Sequence, residues 1–388
     1  MTLILGIITG LIMLTVLVGL HELGHALAAK KNGVKIEEYA LGFPPNIFKF
    51  KAKTDKILPK GTDIAINWIP LGGYVKLQGE FDSSAKKGDY GAASFWSKTQ
   101  ILFAGVVMNW LTAIVLFTIL AWIGLPKMLD NQFYLANDAR LSGGEIIVTQ
   151  VVENLPAAQS GVVRGDQILK MNGKEISSSE QVSQISKENA GRKIAVEILR
   201  EGKKIEKTVE IRAENNDGNG YLGVATDANA TKIHSTWSAP LVGAGVTLQL
   251  SAETFRSLGE MLVNTFTGLA QKISSNADTQ TEANHKLESA GKNVAGPVSI
   301  LGILFPAAAE AGFETILLLT ALISLSLACM NVLPIPVLDG GRWLMAAIFR
   351  IIKKPLTRET EEKILSYGLW FMLGLTVLVI GLDLIRIF

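Results

Sequence analysis

Charge is absent from four long stretches of the chain, and the placement of these stretches predicts its architecture. Residues 2–20 carry none, and after His21 and Glu22 the apolar run resumes from Leu23 to Ala29. Residues 101–125, 315–338 and 364–382 are uncharged for 25, 24 and 19 residues. A bilayer's hydrocarbon core takes about 20 helical residues, so each run predicts a transmembrane helix. The first has no basic stretch ahead of it and no evident small-residue cleavage site, and is expected to be a retained span rather than a signal peptide. Two weaker stretches, 235–252 and 294–309, are short and carry Gly, Pro and Ser; both are expected to be interfacial or re-entrant.

Between the second and third spans the pattern changes to short β-type runs at 145–152, 167–171, 193–200 and 204–212. A helical stretch at 179–188 lies among them, and Asn172-Gly173 is a hairpin-turn signal. These predict a compact α+β module over 143–225. Residues 247–270 place Leu248, Phe255, Leu258, Leu262, Phe266 and Leu269 on one helical face. That face could lie on a membrane surface or pack against the α+β module. Residues 271–293 are polar and loop-like. After the first span, 63–69 and 74–77 read as two strands of a hairpin around Pro70-Leu71-Gly72-Gly73. The expected organisation is a membrane part over 1–125, the module at 143–225, an interfacial linker at 226–312 and a second membrane part at 313–388.

Composition adds little until it is resolved along the chain. With 37 Lys and Arg against 35 Asp and Glu the net charge is +2, which gives no reason to expect a nucleic-acid partner. A single cysteine, Cys329, excludes an internal disulfide framework and any cysteine-rich zinc module. It lies in an apolar run and is expected to pack there. The lysines, however, cluster: Lys30, Lys31, Lys35, Lys49, Lys51, Lys53, Lys56 and Lys60 follow the first span, and Arg342, Arg350, Lys353, Lys354 and Arg358 follow the third. By the positive-inside rule the 30–100 and 340–363 loops are expected to be cytoplasmic, with both termini and the α+β module outside.

Of four histidines, two form His21-Glu22-Leu23-Gly24-His25. Positions i and i+4 share a helix face, so both rings can ligate one metal ion, with Glu22 placed to act as general base. Ionisable groups at the end of an apolar span are costly unless they pair or coordinate. A catalytic zinc takes three protein ligands and an open position, and Asp339 is the best third donor. His21 lies roughly 27 Å along the first span, and Asp339 follows the third span, which runs in the same direction. Both therefore sit toward the cytoplasmic ends of parallel-running helices. Before Asp339, Pro334 and Pro336 cannot continue a helix, and broken backbone at membrane depth is tolerated only where protein or water covers it. A substrate strand could lie there, with Asn331 as its hydrogen-bonding partner. Gly105 and Asn109, one turn apart, read first as helix packing near the site and second as substrate contact. Gly72 and Gly73, in the hairpin, are further candidates for substrate contact. His234 and His285 show no ligand pattern and are expected to be solvated.

Residues 151–173, with Leu155-Pro156-Ala157-Ala158, Ser160-Gly161-Val162, Arg164-Gly165-Asp166 and Asn172-Gly173, resemble a PDZ domain of the bacterial protease type. Together with the His-Glu-His motif, Pro70-Leu71-Gly72-Gly73-Tyr74-Val75-Lys76, Gly105-x-x-x-Asn109, Gly296-Pro297-Val298-Ser299-Ile300 and Asn331-x-x-Pro334-x-Pro336-x-Leu338-Asp339-Gly340, the chain resembles the site-2 protease family, near the bacterial regulator-of-sigma-E protease type. The resemblance covers nearly the whole chain. It implies a polytopic α-helical membrane protein with four transmembrane helices and an inserted PDZ-like domain. It also implies Zn2+ held by His21, His25 and Asp339, Glu22 as base, and a membrane-entering hairpin at 63–80. The implied activity is cleavage of single-span membrane proteins, anti-sigma factors among them, in a bacterial inner or plasma membrane. A peptide or protein C-terminus is the implied partner of the PDZ-like domain. The chain departs from the best-known enterobacterial type in having one such domain where that type has two. The rival enzyme class, the prenyl-protein type of membrane zincin, draws its third ligand from a downstream Glu motif that has no counterpart here. The non-enzyme rival is an inactive membrane scaffold presenting a PDZ domain.

Overall fold

The computed structural model describes residues 2–142, 144–215, 218–228, 231–272 and 296–387. The chain begins with helix α1 (Thr2–Lys31), strands β1 (Ile36–Lys51) and β2 (Asp63–Leu77), and helix α2 (Phe95–Ile123). It continues through β3 (Leu125–Pro126), β4 (Arg140–Ser142), β5 (Ile146–Val151), α3 (Pro156–Gln159), β6 (Gln167–Met171), β7 (Lys174–Glu175), α4 (Ser179–Glu188), β8 (Lys193–Arg200), β9 (Lys203–Glu210), β10 (Val224–Ala228) and β11 (Lys232–His234). It ends with α5 (Ala239–Lys272), α6 (Pro297–Ala311), α7 (Phe313–Asn331), α8 (Asp339–Ile351) and α9 (Arg358–Ile387). Two compact units result, one from residues up to Ile123 together with Ala239 onward, the other from Gly124–Ser238.

In the first unit α1, α2, α7 and α9 are long and apolar enough to cross a membrane. α2 packs between α1 on one side and α5 and α7 on the other. Apolar side chains ring each helix: on α1 Leu17 is buried while Ile4, Ile8, Ile12 and Val16 are exposed. A helix apolar all round needs either a surrounding core or lipid.

Several expectations change here. α2 begins at Phe95, before the uncharged run, because Lys98 in its first turns is buried and paired with Asp82. The 24-residue third run is broken where its prolines predict. α7 stops at Asn331, 332–338 form turns around Pro334 and Pro336, and α8 starts at Asp339. The proline ring removes a donor and blocks the preceding turn. Residues 239–252 of the 235–252 stretch open the 34-residue α5, whose Val242 and Val246 are buried. On the face expected to meet a membrane surface or the α+β module, Leu248, Phe255 and Leu262 are exposed. The 294–309 stretch gives α6, with a π-helical turn over Ile300–Leu304, packed on α1. The proposed linker 226–312 therefore divides, its first part belonging to the second unit and the rest to the first. The polar stretch 273–293, with His285, lies outside the described residues.

The expected hairpin at 63–80 is also different. The arms 63–67 and 73–77 of β2 do run in opposite directions around Pro70-Leu71-Gly72-Gly73, but they do not pair with each other: residues 36–41 of β1 lie between them. Both strands bend, so that β1 residues 36–41 pair with 73–77 on one side and 63–66 on the other, while 46–51 pair with 63–67. The bend is accommodated at Gly42 (φ +78°) and Gly72 (φ +104°), a conformation L side chains avoid. Tyr39 Oη donates to Gly19 O (2.7 Å) and Thr15 Oγ1 to Pro70 O (2.7 Å), which fastens the sheet along α1.

The second unit is a sheet in the order β10-β5-β6-β8-β9, with β7 on β6 and α4 covering one face. Ile146, Val148, Ile168, Met171, Val196, Ile198 and Val209 alternate into its core. β6, β8 and α4 fall where the sequence places them; β5 and β9 differ by one or two residues at their ends. Asn172 and Gly173 both have positive φ, as a two-residue hairpin turn demands. A three-stranded sheet, β3-β11-β4, widens the unit beyond 143–225. His234 belongs to it, half-buried and 2.9 Å from Ser142 Oγ, rather than solvated.

Candidate active site

The His-Glu-His motif occupies the last third of α1, where α2 crosses it. The crossing is close because it is made by small residues. A Cβ on Gly24 would lie 2.4 Å from Ala104 O, and one on Gly105 would lie 2.4 Å from His25 Nε2 and 2.7 Å from His21 Cε1. Gly105 thus leaves the space that both imidazoles fill. His21 and His25 are buried, with Nε2 atoms 3.1 Å apart. Asp339, the first residue of α8, closes the group: its Oδ2 is 3.2 Å from His21 Nε2 and 3.4 Å from His25 Nε2. That oxygen is buried and makes no hydrogen bond of normal geometry.

These three donors fit a metal. Zinc bonds of about 2.0–2.1 Å in a tetrahedral arrangement place ligand atoms roughly 3.3–3.4 Å apart, and the observed triangle has sides of 3.1, 3.2 and 3.4 Å. Two imidazoles and one carboxylate are a familiar donor set for catalytic zinc. Among the described residues, His21, His25 and Asp339 are the group able to hold a metal ion.

Glu22 sits beside the triangle, and its Oε2 accepts the N–H of Val75 (3.0 Å). Val75 lies in the 73–77 arm of β2, whose other edge is paired with β1. A cavity of about 280 Å³ opens over the group, lined by His21, Glu22, His25, Tyr74, Val75, Asn331, Val337 and Asp339 among others. Asn331, the last residue of α7, reaches the cavity while its Nδ2 donates to Leu327 O (3.0 Å).

The remaining sequence candidates fall near the cavity but not on its wall. Pro334 and Pro336 shape the turn before Asp339. Gly72 lies under the Phe43 ring, and a Cβ on Gly73 would lie 3.6 Å from Glu22 Cγ. Asn109 is fully buried, so it is not placed to touch substrate; its Nδ2 is 3.2 Å from His21 Nδ1. Sequence reasoning missed Glu80, Tyr90 and Arg342, which also line the cavity. Arg342 stacks over Tyr90 (5.8 Å), and burial pushes the Tyr90 phenol up from its usual pKa. Glu80 and Tyr90 come from an irregular connection with no periodicity to mark them. The Arg342 signal was its place three residues after Asp339, one turn along α8.

The chain is similar to several known proteins. A Clostridium perfringens protein bearing a zinc metalloprotease name is 30% identical over 380 residues, 98% of each chain. Similarly named proteins from Agrobacterium fabrum and Campylobacter jejuni are each 28% identical, over 96% and 97% of this chain and 95% and 92% of their own. A solved PDZ domain of an SdrC-like protein from Listeria monocytogenes aligns with 22% of this chain and 92% of its own length, at 18% identity and a TM-score of 0.20. The sequence profile of peptidase family M50 matches residues 9–375, and the chain belongs to that family, as a zinc metalloprotease of the site-2 type.

Proposed function

We propose that this protease cuts single-span membrane proteins within or near the bilayer, anti-sigma factors being the implied case, with His21, His25 and Asp339 holding zinc and Glu22 as catalytic base. The observation that carries the reading is the meeting of these four residues beside the 73–77 arm of β2, whose edge away from β1 has no strand partner among the described residues. When bound, zinc supplies Lewis-acid polarisation of a carbonyl and acidifies a coordinated water. Glu22, oriented by the Val75 N–H, takes the proton of the water that attacks the scissile carbonyl and passes it to the leaving amine. A helical substrate masks its peptide bonds in its own hydrogen bonds, so it must unwind first. The 73–77 arm of β2 offers an edge on which an unwound segment can add as a strand. Asn331 hydrogen-bonds that segment or its developing oxyanion. The loops at 30–100 and 340–363 face the cytoplasm, and residues 124–238 face outside. There β10 is a sheet edge beside α4, a place for an extended peptide.

The test is Glu22→Gln in the purified full-length protein with a single-span reporter. Zinc content should stay at the wild-type level while cleavage falls by about 10²–10⁴-fold, the usual worth of a general base. Uncleaved membrane proteins should then co-purify with the variant and identify the substrate. Cleavage at the wild-type rate would remove Glu22 as the base.

A further inference from the structure

His25 and His21 treat their second ring nitrogens differently, and the difference identifies a role for Asn109. To offer Nε2 to a metal, an imidazole must carry its proton on Nδ1, and that proton needs an acceptor. His25 has one: its Nδ1 lies 2.8 Å from the carbonyl oxygen of Ile101. His21 Nδ1 instead faces the amide of Asn109, whose Nδ2 is 3.2 Å away. An N–H donating to Nδ1 would force the proton of a neutral His21 onto Nε2 and remove that lone pair from the triangle. The same amide holds the remedy, since Asn109 Oδ1 is buried and has no hydrogen-bond partner. A half-turn of the amide exchanges its oxygen and nitrogen in place. The backbone around it is pinned, because Ser324 Oγ donates to Asn109 O (2.9 Å), tying α2 to α7 at this level.

We propose that Asn109 is a positioning residue whose Oδ1 accepts the Nδ1–H of His21 and so keeps His21 Nε2 free as a metal ligand. α2 thereby supplies the outer partner of both histidines, by a backbone carbonyl for His25 and by a side chain for His21. Gly105 and Asn109, one turn apart on α2, act together: the glycine makes room for the rings and the asparagine sets the orientation of one of them. This rests on the reading that His21 ligates zinc.

The experiment measures zinc affinity by chelator competition, at one fixed pH, in full-length protein in detergent. Asn109→Leu removes the acceptor and should weaken zinc by about 10- to 100-fold, the usual cost of losing such an outer partner. Asn109→Asp restores an acceptor oxygen and should recover most of the loss. An Asn109→Leu affinity within about twofold of wild type, far short of that cost, overturns the proposal. So does an Asn109→Asp affinity as weak as that of Asn109→Leu. A readout that needs no Asn109 variant is ¹⁵N NMR of histidine-labelled metal-free wild type, in which there are only four histidines to assign. His21 should carry a proton on Nδ1, and a bare Nδ1 overturns the proposal. His21→Ala separates the two readings: if it leaves zinc affinity unchanged, the ligand assignment itself fails. If it abolishes binding while Nδ1 is bare, only the role of Asn109 fails.

Discussion

The two units bury polar groups under different rules. In the unit holding residues 124–238, the apolar residues form the core, and the buried Asp166 is paired at once with Arg200. In the membrane-type unit the apolar residues are everywhere, and three of its buried polar side chains, His21, His25 and Asn109, meet with Asp339 at one crossing. Water can satisfy a stray polar group in a small soluble module, whereas a span has only protein to offer. In the first case, then, apolar positions carry the structural information. In the second, the exceptions to apolarity carry it.

That contrast is tested most severely at Asp339. Asp339→Ala removes a proposed ligand, so zinc affinity should fall by more than the 10- to 100-fold that outer partners cost. The hydrogen-exchange protection of β5, β6 and β8 should not change. Chelator competition and hydrogen exchange on the same sample check both halves. Unchanged metal content would remove Asp339 as a ligand and leave the polar crossing without its organising ion.

Gly105→Val tests the crossing through shape alone. Its Cβ would meet His25 Nε2 at 2.4 Å, at a crossing so close that a Cβ on Gly24 would lie 2.4 Å from Ala104 O. Overpacking of this kind costs about 1–3 kcal/mol. The strain should appear as lost zinc binding, since the imidazoles are what must move. Retained zinc with lowered thermal stability would mean that the helices part and the site stays whole.

The same contrast explains what could be read from the sequence. Alternation in 193–200 fixes which side chains of β8 face the core, and the Asn-Gly pair fixes the β6–β7 turn, because strand faces and turn dihedrals are local properties. Spans are as visible, since length and apolarity suffice. The shared face of His21 and His25 follows from helical geometry, and the choice of Asp339 rests on the expectation that two spans run in parallel. What failed was long-range or irregular. Pro70-Leu71-Gly72-Gly73 marks a reversal of the chain, yet its two arms do not pair with each other, because residues 36–41 come between them. Asn109 shows in sequence only as a polar residue in a span; its partner His21 is 88 positions away. Glu80 and Tyr90 reach the cavity from a connection set by contacts with other elements, among them the carbonyl of Glu80 with Arg342 and the ring of Tyr90 with Lys98.

In the unit of residues 124–238 the expected effects are smaller and leave zinc alone. Ile198→Ala empties a fully buried position of β8 and should cost about 2–5 kcal/mol, read as lost hydrogen-exchange protection across β6, β8 and β9. If zinc affinity fell with it, the independence of the two units would be wrong.

The mildest test is Asp166 with Arg200. Asp166 is fully buried, and burial alone would raise its pKa. The Arg200 hydrogen bonds (2.6 and 2.7 Å), the Val163 N–H (2.9 Å) and the Arg200 charge outweigh that and hold the carboxyl below its ordinary value. Because folding lowers this pKa, the stabilisation is fully present above the unfolded aspartate value of about 3.9. It is lost as pH falls through the folded value. Asp166→Asn should therefore cost about 1.5 kcal/mol near neutrality, the lower range for a hydrogen bond to a charged group. The wild-type advantage should shrink below about pH 4, as the carboxylate protonates. Protection of β6 and β8 in wild type and variant, followed from pH 7 downward, reads this directly. Curves that stay parallel to the lowest pH would show that the ionised carboxylate contributes nothing beyond the shape of its side chain, and that even here the buried polar group is held by packing.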